Sequence, residues 1–141
     1  MAIVSKKVYL TPNLIFAFID RGSAKHEMAS AYFRFFAEKQ YALFIDAINV
    51  MEAYDMVYKK MSPSMGRDFL RVLFLSDINI IYPEESDIKV ALKALTGYKT
   101  AELSFSEAVM STLANKRNIS TIATFEFLHP LFGLQVFYLP I

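Results

Sequence analysis

The chain has no cysteine and only two histidines among its 141 residues. The first absence excludes a disulfide framework and any thiolate metal site, and it suits a reducing, cytoplasmic setting. The second leaves His26 and His129, far apart in sequence. That does not suit a histidine-rich zinc site, so oxygen must be the main donor to any bound metal. Neither sign of charge is in excess, since 15 Lys and Arg stand against 14 Asp and Glu. The balance gives no global pull on a polyanion, and nucleic-acid binding would depend on a local basic patch. Long apolar runs are also missing. The longest, Leu14 to Ile19, falls well short of the roughly 20 residues that span a bilayer. MAIVSKKVYL has no h-region, so neither a membrane span nor a signal peptide is expected. No repeat, low-complexity tract or linker interrupts the sequence.

What is present is an apolar chain, 55% hydrophobic, long enough to bury about 68–70% of its unfolded surface as one domain, residues 1–141. So high an apolar fraction predicts some surface covered by a partner. Short β-like runs alternate with longer helical stripes. Strands are expected at Val8 to Leu10, Tyr41 to Ile45, Ile78 to Tyr82, Thr121 to Phe125 and Val136 to Leu139. Helices are expected from Leu14 to Ile19, closed by Gly22, and from His26 to Lys39. A third runs from Asp46 to a break at Ser62-Pro63, and others cover Arg67 to Leu75, Ser86 to Leu95 and Phe105 to Lys116. This alternation implies right-handed βαβ crossovers, hence a three-layer α/β/α sandwich around a mostly parallel sheet. Sites in such sheets form beyond the carboxyl ends of the strands. The residues to inspect are therefore Thr11, Asp46, Glu84 and Glu126.

Three segments carry chemistry: VYLTPN (Val8 to Asn13), INVMEA (Ile48 to Ala53) and LSFSEAVMSTLANKRNISTIATFE (Leu103 to Glu126). Together they resemble the PIN-domain family, metal-dependent endoribonucleases that include VapC-type toxins. The resemblance implies a PIN-like α/β/α fold and a quartet of acids that falls on Thr11, Glu52, Glu107 and Glu126. It also implies Mg²⁺ or Mn²⁺, an RNA substrate, a homodimer and an antitoxin protein as partner. Glu52 keeps the family's residue type, Glu107 and Glu126 lengthen an Asp, and Thr11 replaces an Asp with a neutral hydroxyl. Asn13 and Thr124 fall on polar positions beside the implied metal. Hard cations take oxygen ligands, and acids converging on one cleft can hold them against a phosphodiester.

Each position also has a plain structural reading. Ser104-x-x-Glu107 is a capping box, and the first turn it caps would lie at the carboxyl edge in either case. Periodicity alone makes Glu52 a solvated helix residue and Glu126 the start of an apolar loop containing Phe127, Leu128 and Phe132. Thr11 before Pro12 reads as an N-cap with proline at the first helical position. Asp46 reads either as the N-cap of the third helix or as the carboxylate that Thr11 lacks. Lys59, Lys60, Arg67 and Arg71 surround the Pro63 break, where they form solvated helix ends or a groove steering RNA to the acids. Met51, Tyr54, Met56, Tyr58, Met61 and Met65 read as core and dimer contact. Two functions follow: a metal-dependent endoribonuclease with Glu52, Glu107 and Glu126 as catalytic residues, or a catalytically impaired PIN pseudoenzyme that binds RNA or protein.

Overall fold

The computed structural model describes residues 6–97, 103–125 and 134–137. Within them the elements run β1 (Lys7–Leu10), α1 (Pro12–Ile19), α2 (His26–Glu38), β2 (Ala42–Asp46), α3 (Ala47–Lys60) and α4 (Pro63–Leu75). They continue with β3 (Asn79–Ile81), α5 (Glu85–Gly97), α6 (Phe105–Lys116), β4 (Thr121–Ala123) and β5 (Gln135–Val136). The sheet has the order β3-β2-β1-β4-β5. Every pairing is parallel, with Tyr9 opposite Phe44 on one side and Ile122 on the other.

Alternation along the strands makes the layers. Val8 and Leu10 point into a core shared with Leu14, Tyr32, Phe36 and Ala53, supplied by α1 to α3. Tyr9 points the other way, into a core with Ala91, Val109 and Leu113 from α5 and α6. The sandwich is thus three layers thick, with a sheet parallel throughout. Such sheets are covered on both faces and read as near-continuous apolar strands.

Local chemistry explains where the boundaries depart from expectation. Pro12 occupies the first turn of α1, so the helix starts earlier than Leu14. Ser62 ends one helix and caps the next by accepting from the Met65 amide at 3.1 Å, with Pro63 opening α4 four residues before Arg67. The helices α2 and α6 close through residues in the left-handed region, Gln40 (φ 57°) and Asn118 (φ 58°). Bonds from the Tyr41 amide to Phe36 O and from the Ile119 amide to Ala114 O complete those ends. The last strand is Gln135–Val136 among the described residues, and the expected continuation to Leu139 lies outside them. No described helix is long and apolar enough to cross a membrane.

Candidate functional site

Because β1, β2 and β4 are parallel and in register, their carboxyl ends meet at one edge. There a cleft of about 370 Å³ opens, lined by Thr11, Pro12, Asn13, Asn49, Glu52, Met56, Ser104, Ser106, Glu107, Met110 and Thr124. Five of the expected positions, Thr11, Asn13, Glu52, Glu107 and Thr124, thus come together from four parts of the chain. Glu126 lies outside the described residues.

The wall made by β1 and β4 is tied by three hydrogen bonds. Thr11 Oγ1 donates to the Ala123 carbonyl at 2.8 Å, Asn13 Nδ2 to Thr124 Oγ1 at 2.9 Å, and the Phe125 amide to Asn13 Oδ1 at 2.7 Å. Thr11 is therefore not a capping side chain. It stands at the N-cap position of α1 but makes no capping bond, because its hydroxyl reaches across to β4 instead. Asn13 is more than a first-turn helix residue, for its amide closes both ends of a short bridge to the strand.

The opposite wall comes from α3 and α6. Glu52 is exposed on α3, one turn beyond Asn49 on the same face. Asn49 is 3% exposed; its Nδ2 points to the Leu10 carbonyl at 3.4 Å and to Met110 Sδ at 3.5 Å. Glu107 completes the capping box. Its amide donates to Ser104 Oγ at 3.1 Å and its Oε1 accepts from the Ser104 amide at 2.9 Å. Capping uses one carboxylate oxygen, so capping and cleft lining coexist.

Asp46 resolves the other way. It ends β2 at the same edge, yet it is fully buried and does not line the cleft. One oxygen accepts from the Asn49 amide at 2.8 Å, which caps α3, and the other accepts from Tyr9 O–H at 2.5 Å. Burial pushes its pKa up against the opposing pull of those bonds. The Tyr9 hydroxyl is pushed up as well, first by burial and then by the Asp46 charge. The expectation that Asp46 could replace the missing carboxylate as a metal ligand is therefore corrected, because no oxygen faces the cleft.

The four basic residues around the Pro63 break are held in different ways. Arg71 pairs with Asp68 on its own helix at 2.8 Å, and Lys60 lies over the Phe16 ring, 5.1 Å from its centroid. Lys59 and Arg67 are exposed. Of the Met and Tyr residues read as core or dimer contact, Met56 lines the cleft instead. Asn49 and Met56 were not singled out as site residues, although their spacing from Glu52 places all three on one face of α3.

The donor set tests the fit of a metal. Among the described residues no three of His, Cys, Asp and Glu are grouped to hold an ion. Two carboxylates with neutral oxygens nearby do not make a closed cage. Their chemistry is that of a hard-cation site, since a Mg²⁺-like ion commonly takes one or two carboxylates and keeps much of its water or binds substrate phosphate.

This arrangement belongs to a class: the chain has a PIN-domain fold of the VapC type. No protein-family model and no curated protein matches the sequence, and the likeness is carried by solved structures. Mycobacterium tuberculosis VapC20, described as a sarcin–ricin loop cleaving toxin, superposes with a TM-score of 0.72 at 15% identity, over 82% of this chain and 86% of that one. Rickettsia felis VapBC2, bound to a DNA fragment from its promoter, gives 0.71 at 17% identity, over 92% and 96%. Neisseria gonorrhoeae FitAcB gives 0.63 at 16%, over 93% and 96%.

Proposed function

We propose that this chain is a single-domain endoribonuclease of VapC toxin type, working in the cytoplasm with Mg²⁺ or Mn²⁺. The observation that carries the reading is the meeting of Glu52 and Glu107 in one polar cleft at the carboxyl edge of the sheet. Glu52 and the uncapped oxygen of Glu107 would hold the ion, with Glu126 as a third ligand. When bound, a divalent cation supplies positive charge to the phosphodiester and acidifies water. The protein's own part is to fix the carboxylates. Helix α6 is held by its capping box, and the Thr11, Asn13 and Thr124 bonds hold the end of β4, where Glu126 follows. Asn49 and Thr124 supply neutral polar groups that orient RNA or water.

A second reading is favoured by Thr11. Its hydroxyl proton is spent on Ala123, and a neutral oxygen replaces a charge, so metal affinity falls and the cleft becomes an RNA- or protein-binding site. Calorimetric titration of the pure protein with Mn²⁺, beside a Glu52→Gln, Glu107→Gln double variant, separates the two. Saturable binding that the variant loses, together with Mn²⁺-dependent cleavage of RNA, is the expected result. Absence of binding at millimolar Mn²⁺ would reject the nuclease and leave the binding module.

An antitoxin has a seat in the same proposal. A groove of about 420 Å³ between α1, α2 and α4 is lined by Ile15, Phe18, Phe33, Phe69 and Val72, which suits the apolar face of a partner helix. Phe74 and Leu75 at the end of α4, 66% and 88% exposed, offer apolar area to a second copy in a homodimer. Light scattering with Leu75→Asp tests the dimer, and co-purification of a co-expressed antitoxin with Phe69→Asp tests the groove.

A further inference from the structure

Two lysines, unlike the rest, are held over aromatic rings that follow cleft residues along the chain. Lys60 is one turn beyond Met56 on α3, and Phe16 is one turn beyond Asn13 on α1. The Lys60 ammonium lies 5.1 Å from the Phe16 centroid, so this ring contact is one helical turn from the cleft residues Met56 and Asn13. Lys25 lies over Phe125 at 5.3 Å, and its Nζ donates to the Phe125 carbonyl at 3.4 Å. Phe125 follows the cleft residue Thr124, and its amide is bound by Asn13. Each ring is thus tied to the cleft, Phe16 through the first turn of α1 and Phe125 through its amide bond to Asn13.

Neither Lys25 nor Lys60 has an ion-pair partner among the described residues. Among the described residues the ion pairs are Arg71–Asp68, Lys89–Glu85 and Lys116–Asp87. An ammonium held over an aromatic face at the surface keeps its charge while its position is restricted. The cleft itself presents carboxylates, which repel a polyanion, so a nucleic-acid strand needs cations beside it.

We propose that Lys25 and Lys60 form a two-cation bracket beside the cleft that receives backbone phosphates of a single-stranded RNA passing Glu52 and Glu107. The identity of the polymer rests on the reading given above; the bracket rests on the ring contacts and on the absence of an ion pair at either lysine among the described residues. Phosphate contacts fix register without reading sequence, so the bracket positions RNA and does not select bases.

The test is fluorescence anisotropy with a labelled oligouridylate and the full chain in EDTA, so that binding is read without cleavage. Wild type, Lys25→Gln, Lys60→Gln and a Lys93→Gln control on α5 are titrated over a range of salt. Each bracket variant should lower the slope of log K against log salt by about 0.7, the value for one phosphate on a single strand, while the control keeps the wild-type slope. Unchanged slopes in both bracket variants overturn the proposal, as does an equal drop in the control or absence of wild-type binding at low salt. Competition by polyglutamate as effective as by RNA overturns it too and assigns the lysines to an acidic protein. RNA cleavage in Mn²⁺ with unchanged slopes sinks the bracket alone; lost slopes without cleavage sink the nuclease alone.

Discussion

Two acids at the start of two helices invite comparison. Asp46 before α3 and Glu107 in the first turn of α6 both accept a backbone amide, and both sit at the carboxyl edge of the sheet. Asp46 has no surface left, and Tyr9 takes its second oxygen. Glu107 is half-buried, gives one oxygen to Ser104 and lines the cleft. The edge of the sheet therefore does not by itself make an acid a ligand. What decides is how many acceptor sites remain once the helix amides have been served, and whether water can reach them.

The sharpest way to break the contrast is Asp46→Ala. It removes a helix cap and leaves the buried Tyr9 hydroxyl without its acceptor, which together should cost about 3 kcal/mol in urea unfolding. A loss below about 1 kcal/mol would mean that water replaces the carboxylate and that Asp46 is less sealed than its geometry implies. Glu107 should behave in the opposite manner. Glu107→Ala should cost only about 1 kcal/mol, the usual scale of a capping interaction, and Glu107→Gln almost nothing, because glutamine also serves a capping box. Both variants should nevertheless abolish Mn²⁺ binding by calorimetry. Retained Mn²⁺ binding in Glu107→Gln would reduce Glu107 to a cap.

Much of this arrangement was legible in the sequence. Alternating strand and helix periods gave the layers, and the Ser104 and Glu107 spacing gave the capping box, because both depend on contacts within a few residues. The double role of Asp46 was legible only as a choice, since its outcome depends on Tyr9, 37 residues away. Thr11 takes the expected N-cap position and lines the cleft, and only its hydroxyl departs from the local reading. Thr-Pro is a strong local signal for a cap, but a carbonyl of β4, 112 residues on, competes for the hydroxyl and wins. Long-range partners of side chains are set by strand order, and single-sequence periodicity does not encode strand order. Lys25 went unnoticed because its ring, Phe125, is equally remote.

The smallest expected effect separates charge from shape at Asp46. Asp46→Asn keeps an oxygen for the Asn49 amide and turns an amide toward Tyr9, so at neutral pH stability should change by only about 1 kcal/mol or less. The pH dependence carries the information. Burial raises the folded-state pKa of Asp46 above its usual 3.8, so its contribution is fully present below that value and is lost as pH rises through the folded value. Asparagine has no charge to bury, and the variant should therefore gain on wild type as pH rises above about 4. Asp87 provides the opposite case. The Glu84 amide, aided by Lys116, holds it below the usual value, so it stabilises above 3.8 and loses that contribution as pH falls through its folded value. Asp87→Asn should accordingly be weaker than wild type at pH 7, with the gap closing in acid. Urea melts at both pH values read the two signs directly. If Asp46→Asn tracked wild type across the range, the acid would share its folded and unfolded pKa, and the sealed pocket around Tyr9 would have to admit water.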